Sequence, residues 1–299
     1  MLKIEVIHID TEGGHKAEVG PASQPPPFAG RGCGGVWLAA LFGTTRPLSS
    51  LVAGTIAASA AIAGQGRLTL RGVAAGLAMT ALAMFGFAVN DIFDYRKDRA
   101  AGIQRPVAAG TLSRKSAAWL AMAMLLAACL FSAVAGSSGM VMAVTSAMLL
   151  LYSPVAQRYP LCKDVYVAGL CCAPLYYGAV AGGRQYPWFS YAVLACFVLG
   201  REALMDSDEL AGDRKSGIRT MAATLGRHGT ARIGTALMIL AAVALAAGAH
   251  GRIATAASSA TLVSLACVFA WPGLNQSRRI YWSRLPMLLG SVAVACGNA

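Results

Sequence analysis

Asn90, Asp91, Asp94 and Asp98 stand at the end of a long apolar run that begins near Leu70. On a helix, the steps of three and four residues from Asp91 to Asp94 to Asp98 put three carboxylates on one face. Carboxylates stacked in this way repel, so a fold that keeps them needs a cation between them. A hard divalent ion with oxygen ligands is the simplest choice. A second cluster repeats the spacing at Asp206, Glu209 and Asp213, with Glu202 one turn earlier and inside the apolar run. An ionisable group at that depth is a functional candidate. Two carboxylate stripes facing one another make a holder for Mg²⁺, which binds through carboxylates together with substrate phosphates. Lys97, Arg105, Arg214, Lys215 and Arg219 flank the stripes and can meet phosphate oxygens, arginine in bidentate fashion.

The elements that position these groups follow from composition. Of 299 residues, 57% are hydrophobic and 13% charged, and the mean hydropathy is +0.58. A soluble domain carries about a quarter charged residues, so lipid is the solvent here. Nine apolar stretches approach the ~20 residues that a bilayer requires: 47–65, 72–90, 116–136, 138–153, 164–182, 188–206, 230–249, 253–271 and 285–298. They predict an all-α polytopic membrane domain over 34–299, its helices surrounding a central cavity. Residues 1–33, with Gly13-Gly14 and Pro25-Pro26-Pro27 and no apolar period, are expected to be a disordered tail. They lack the charged start and apolar core of a signal peptide. Trp37 to Phe42 is expected to form a short interfacial helix before Arg46-Pro47 opens the first span.

A net charge of +12 would ordinarily suggest nucleic acid. Here the basic residues are dispersed through short loops between spans, so no nucleic-acid partner is expected. They instead set orientation: the loops after the even-numbered spans hold 15 Lys and Arg, those after the odd-numbered spans 4. The positive-inside rule then makes the N-terminus and the even loops cytoplasmic, in an inner or cell membrane. All nine acids outside the tail fall at that same end. Most of the eight cysteines lie in apolar runs without metal-ligand spacing, which indicates packing rather than zinc or a disulfide framework.

Metal and cations at one end of an apolar interior suit a diphosphate leaving group on a long hydrocarbon, because they neutralise the charge that builds as the C–O bond breaks. The residues therefore point to an isoprenyl diphosphate, ionised to an allylic cation in a dry chamber. Asn90-Asp91-xx-Asp94-xxx-Asp98, followed by Arg105-Pro106 and Gly110, resembles the first signature of UbiA-type intramembrane prenyltransferases. Arg201-Glu202 to Asp213, continuing through Gly217, Thr220, Leu225 and Gly226, resembles their second. Tyr152-Ser153-Pro154 and Lys163-Asp164 are similar to a third family segment.

The resemblance implies that Asn90, Asp91, Asp94 and Asp98 bind a Mg²⁺-diphosphate and that Asp206, Glu209 and Asp213 hold a second metal ion. It implies diphosphate contacts from Arg105, Lys163 and Arg214, and Lys97 and Glu202 join the substrate-binding set; Asp91, Asp94 and Asp206 are the expected catalytic centre. Met205 stands where many members have lysine, Glu209 where aspartate is usual and Gln157 where lysine is common. Metal binding survives these departures, but the acceptor does not transfer from better-known members.

The expected reaction is transfer of the prenyl group to a membrane-held aromatic or lipid acceptor. A UbiA-type terpene cyclase, acting on the diphosphate alone, is the alternative. An ion carrier would place acids near the midplane and on both sides, contrary to their one-sided distribution. Tyr95, Tyr152, Tyr176 and Tyr177 are candidates for cation stabilisation or for packing. His228 is expected to be a loop residue only and His250, on the opposite face, to be inert, and the basic, aromatic stretch 275–284 is a candidate for anionic lipid.

Overall fold

The computed structural model describes residues 33–100, 102–136, 139–159, 162–183, 188–215 and 220–296. The tail expected over 1–33 falls, but for Cys33, outside the described residues. The described chain forms helices and no strand. In order they are α1 (Cys33–Thr45), α2 (Pro47–Gln65), α3 (Leu70–Phe93), α4 (Tyr95–Ala100), α5 (Arg114–Ala135) and α6 (Gly139–Arg158). There follow α7 (Lys163–Ala181), α8 (Trp188–Lys215), α9 (Met221–Ala247), α10 (Arg252–Ala270), α11 (Gln276–Trp282) and α12 (Arg284–Cys296). Each of the nine expected spans corresponds to one helix. Seven of these helices, α2, α3 and α5 to α9, are long and apolar enough to cross a bilayer. In α10 the apolar stretch Ala254–Ala270 is shorter, and α12 has 13 residues.

Local sequence explains the ends. Pro47 opens α2 at its first turn, where a missing N–H is harmless. Ser113 caps α5 by accepting from the Ser116 N–H, and Thr69 caps α3 by accepting from the Gly72 N–H. Gly136, in the left-handed conformation at φ 63°, closes α5 and separates it from α6. Gly226, at φ 75° and ψ 165°, interrupts α9 near its start.

Burial sorts the helices. In α3, 67% of the spanning window is buried inside the protein, against 22% in α5 and in α6, so α3 is central and the other two face lipid. It packs on α2 and α5, and its Ala74, Ala75, Ala78, Leu82, Phe85 and Ala88 form the spine of one apolar cluster. A second cluster joins Phe197 and Leu204 of α8 with Met238, Ala241 and Ala242 of α9 and Leu265 of α10. The last helix returns to the first span, α12 packing on both α10 and α2.

Small residues allow the closest approaches. A Cβ on Gly200 would lie 2.5 Å from the Gly234 carbonyl oxygen, and one on Gly234 2.5 Å from that of Gly200. The α8–α9 crossing therefore brings backbone against backbone, the mode by which helices associate where lipid supplies no hydrophobic drive.

Candidate active site

The first acidic motif begins inside α3 and continues past its end. α3 stops at Phe93, Asp94 is its C-cap, and α4 starts at Tyr95. The three acids therefore do not share one uninterrupted helix, as their spacing predicted. The break is slight, since the Asp94 N–H still donates to the Asn90 carbonyl at 2.8 Å and the Asp98 N–H to the Asp94 carbonyl at 2.8 Å. Asp91 and Asp98 are buried.

A guanidinium lies among the three carboxylates. Arg105 Nη1 is 2.7 Å from Asp98 Oδ2 and 3.7 Å from both Asp91 Oδ1 and Asp94 Oδ2. Its loop is clamped by the apolar cluster of Val107, Leu112, Ala40 and Ala117, with Leu41, Ile92 and Tyr95 packed against it. Inside the loop the Leu112 N–H and Thr111 Oγ1 both donate to the Pro106 carbonyl. Gly110 makes the turn at φ 77°, a conformation that favours glycine. The Arg105-Pro106 and Gly110 positions thus build the loop that aims the guanidinium.

Arg46 also enters the site, donating from Nη2 to Asp91 Oδ1 at 2.8 Å with its guanidinium 4.7 Å from the Phe87 ring centre. Among the described residues it is the one non-glycine residue with positive φ, 45°. An L-residue there costs roughly 1–2 kcal/mol, and the residue that carries it is the one that pairs with Asp91. Burial pulls the Arg46 guanidinium below its ordinary value while Asp91 opposes the shift. Arginine titrates so far above neutrality that it remains charged. Sequence reasoning missed Arg46; a basic residue at the same membrane end as every acid was the available signal.

The second motif sits on α8 and is met from α7. Lys163 Nζ donates to Asp206 Oδ1 at 2.6 Å and lies 3.7 Å from Asp164 Oδ1. Glu202 and Asp206 are buried, and Arg201 Nη1 approaches Glu202 Oε1 at 3.3 Å. Between the motifs stands the end of α6. Ser153 Oγ donates to Asn90 Oδ1 at 2.5 Å. Its neighbour Tyr152 lies within electrostatic range of Asp94 on one side and of Glu202, Lys163 and Asp164 on the other. The three sequence segments therefore converge at one end of the bundle.

Other expected residues stand further out. Lys97 is exposed on α4 and makes no ion pair among the described residues, and Glu209 is exposed on α8. The side chains of Gln157, Asp213 and Arg214 lie outside those described. Among the described residues no three Asp, Glu, His or Cys side chains are gathered tightly enough to share an ion. Arg105 stands among Asp91, Asp94 and Asp98, where the spacing predicted a divalent ion, while Arg46 pairs with Asp91 and Lys163 with Asp206.

The chain resembles known proteins over most of its length. The UbiA prenyltransferase family matches residues 51–292. Digeranylgeranylglyceryl phosphate synthase of Thermococcus kodakarensis is 28% identical over 207 residues, covering 67% of this chain and 74% of its own. The enzyme of the same name from Methanoregula boonei is 32% identical over 212 residues, covering 69% and 75%. Among solved structures, a UbiA homologue from Aeropyrum pernix in its apo form superposes with a TM-score of 0.70 at 21% identity, covering 82% of this chain and 96% of that one. One from Archaeoglobus fulgidus, bound to GPP and Mg²⁺, gives 0.60 at 15% identity, covering 85% and 99%. Helices, acidic segments and relatives agree: the chain belongs to the UbiA prenyltransferase family and is an integral membrane prenyltransferase.

Proposed function

We propose that this protein catalyses the Mg²⁺-dependent transfer of a prenyl group from an isoprenyl diphosphate to a membrane-held acceptor, with release of diphosphate. The observation that carries the proposal is Asp91. Its Oδ1 is bound by Arg46, while its buried Oδ2 has no hydrogen-bond partner. A buried carboxylate oxygen left unpaired is costly unless a ligand completes it. Hard oxygen donors of this kind fit Mg²⁺.

Asn90, Asp91, Asp94 and Asp98 would hold one ion, and Asp206, Glu209 and Asp213 a second. When bound, the metal supplies Lewis-acid neutralisation of the diphosphate oxygens. The chain's own residues do the rest. Arg105 and Lys163 are half-buried cations on opposite motifs, placed to bind diphosphate oxygens as charge develops on them; Arg214 and Lys97 would extend that set. Ser153 orients the Asn90 amide. Glu202 and Asp206 fix the positions of Arg201 and Lys163. In the reaction the donor C–O bond breaks with its electron pair leaving on diphosphate, a bond forms between the prenyl carbon and the acceptor nucleophile, and the acceptor loses a proton. Asp91, Asp94 and Asp206 are the catalytic carboxylates in this reading.

The relatives' names specify a glyceryl phosphate product, which favours a lipid over an aromatic acceptor. The catalytic domain is residues 34–299, and charge bias in the loops supports a cytoplasmic position for the motifs and the N-terminus. The test is product analysis with purified protein, Mg²⁺ and geranylgeranyl diphosphate, with and without a glyceryl phosphate lipid. Diphosphate release coupled to prenylated lipid, and abolished by chelation, is expected. Cyclic hydrocarbon formed without an acceptor would assign the cyclase reaction instead.

A further inference from the structure

The chemistry leaves α1 without a task, yet both guanidiniums of the first motif hang from it. Arg46 follows its last residue and turns the chain into α2 at φ 45°. That junction is hydrogen-bonded on both sides. The Arg46 N–H donates to the Phe42 carbonyl at 3.1 Å, and the Ser50 N–H to the Arg46 carbonyl at 3.1 Å. The buried Ser50 Oγ donates to the Thr45 carbonyl at 2.9 Å. Arg105 is reached from the flank of α1. Ala40 is buried in one cluster with Val107 and Leu112, and Leu41 packs against it. A Cβ on Gly43 would lie 2.8 Å from Pro106 Cγ. No side chain fits between α1 and the loop that aims Arg105, so a shift of the helix must displace the loop.

The outer face of the same helix is apolar. Trp37, Leu38 and Phe42 are 54%, 53% and 62% exposed. Leu38 and Phe42 stand one turn apart, on the side away from the buried Ala40 and Thr44. Cys33–Thr45 contains no acidic or basic residue, so nothing on this helix suits it to water. Its length is about 20 Å at about 1.5 Å per residue, short of the ~30 Å hydrocarbon core. A helix too short to cross and too apolar for water belongs in the membrane interface, where tryptophan is favoured. The exposed Leu48 and Leu51 continue the apolar surface directly onto α2, a spanning helix. Lipid is therefore the occupant of this face.

We propose that α1 is a lipid-seated positioning element: its Trp37, Leu38 and Phe42 face lies in the bilayer interface, and that seating fixes Arg46 and Arg105 among Asp91, Asp94 and Asp98. The partner is the lipid surface itself, met by apolar insertion and not by charge. The seating and its grip on the Arg105 loop stand apart from the reaction. Its effect on donor binding rests on the transferase reading.

The test uses full-length protein in phosphatidylcholine nanodiscs. Trp119→Phe, Trp188→Phe, Trp271→Phe and Trp282→Phe leave Trp37 as the one tryptophan. Its fluorescence is expected to be quenched by lipid brominated on the upper part of the chain and hardly by aqueous iodide. Quenching by iodide alone, or by neither, would overturn the seating; the second result would give the face to another stretch of protein. The grip on the loop is read by hydrogen exchange over residues 105–112. The triple variant Trp37→Gln, Leu38→Gln and Phe42→Gln is expected to raise exchange there at least about tenfold, with α9 unchanged. Trp37→Phe, Leu38→Ile and Phe42→Leu together are expected to keep the wild-type rate. Gly43→Val is expected to raise exchange while Trp37 remains quenched by lipid. Exchange unchanged in both the glutamine and the Gly43→Val proteins would overturn the proposal. Turnover of geranylgeranyl diphosphate is measured in parallel. The glutamine variant is expected to raise its KM at least about fivefold, with kcat within about twofold; an unchanged KM beside faster exchange would overturn the effect on the donor. Lipid quenching and coupled exchange in a protein that turns over no prenyl diphosphate uphold the seating and reject the transferase.

Discussion

At the scale of single residues, the site is organised by cations that stand among its acids. Arg105 reaches Asp91, Asp94 and Asp98 at once, and Arg46 holds Asp91. A bare metal ion must compete with these guanidiniums, whereas a diphosphate offers them new partners. Arg105→Gln is therefore expected to raise the affinity for Mg²⁺ alone and to lower that for prenyl diphosphate, a divergence readable by calorimetry. A purely structural arginine would shift neither in this paired way. Asp91→Asn retains shape while removing the charge that Arg46 balances. It is expected to leave the protein folded by circular dichroism and to lower turnover by at least about 100-fold. Unaltered turnover in that variant would remove Asp91 from the chemistry. The acids and Arg105 were legible in the sequence because types and spacing are local. Arg46 was not, since its pairing with Asp91 spans 45 residues and no local period encodes it.

At the scale of elements, apolar length located the helices well. The first span was expected over 47–65, and α2 occupies Pro47–Gln65. Short helices escaped notice: α4 has 6 residues and α11 has 7, too few for a period to show. α11 matters because it braces the second motif. Gln276 donates to the Leu204 carbonyl and to Ser207 Oγ, and Ser277 Oγ donates to Asp208 Oδ2 at 2.5 Å. Arg227 approaches Asp208 from α9 at 3.4 Å. The stretch 275–284, expected as a lipid-binding loop, is thus largely a helix docked on α8. The α8–α9 crossing is the element-level feature most open to test. Gly200→Ala forces a methyl against the Gly234 carbonyl, and overpacking of this kind costs about 1–3 kcal/mol. A lower Tm is expected for Gly200→Ala and for Gly234→Ala, whereas Gly139→Ala, which meets no neighbour, is expected to be neutral.

At the scale of the whole molecule, one-sided charge and a shared end for the motifs predict topology. A cysteine at Lys97, in a background without the native cysteines, is expected to react with an impermeant maleimide only from the cytoplasmic side. A cysteine at Arg252 is expected to react only from the opposite side; the reverse pattern would invert the assigned orientation. What the sequence could not supply is which helices become neighbours. Hydropathy reports that a helix meets lipid or protein, but not that α12 packs on α2. That return contact has a consequence for the order in which the protein is made. Both acidic motifs precede α12, and the pairs Arg46–Asp91 and Lys163–Asp206 can form before it is synthesised. The helix that begins at Arg284 leaves the ribosome after both of them. Until then α2 lacks that neighbour, so the contact between the first span and α12 closes only after both motifs have been made.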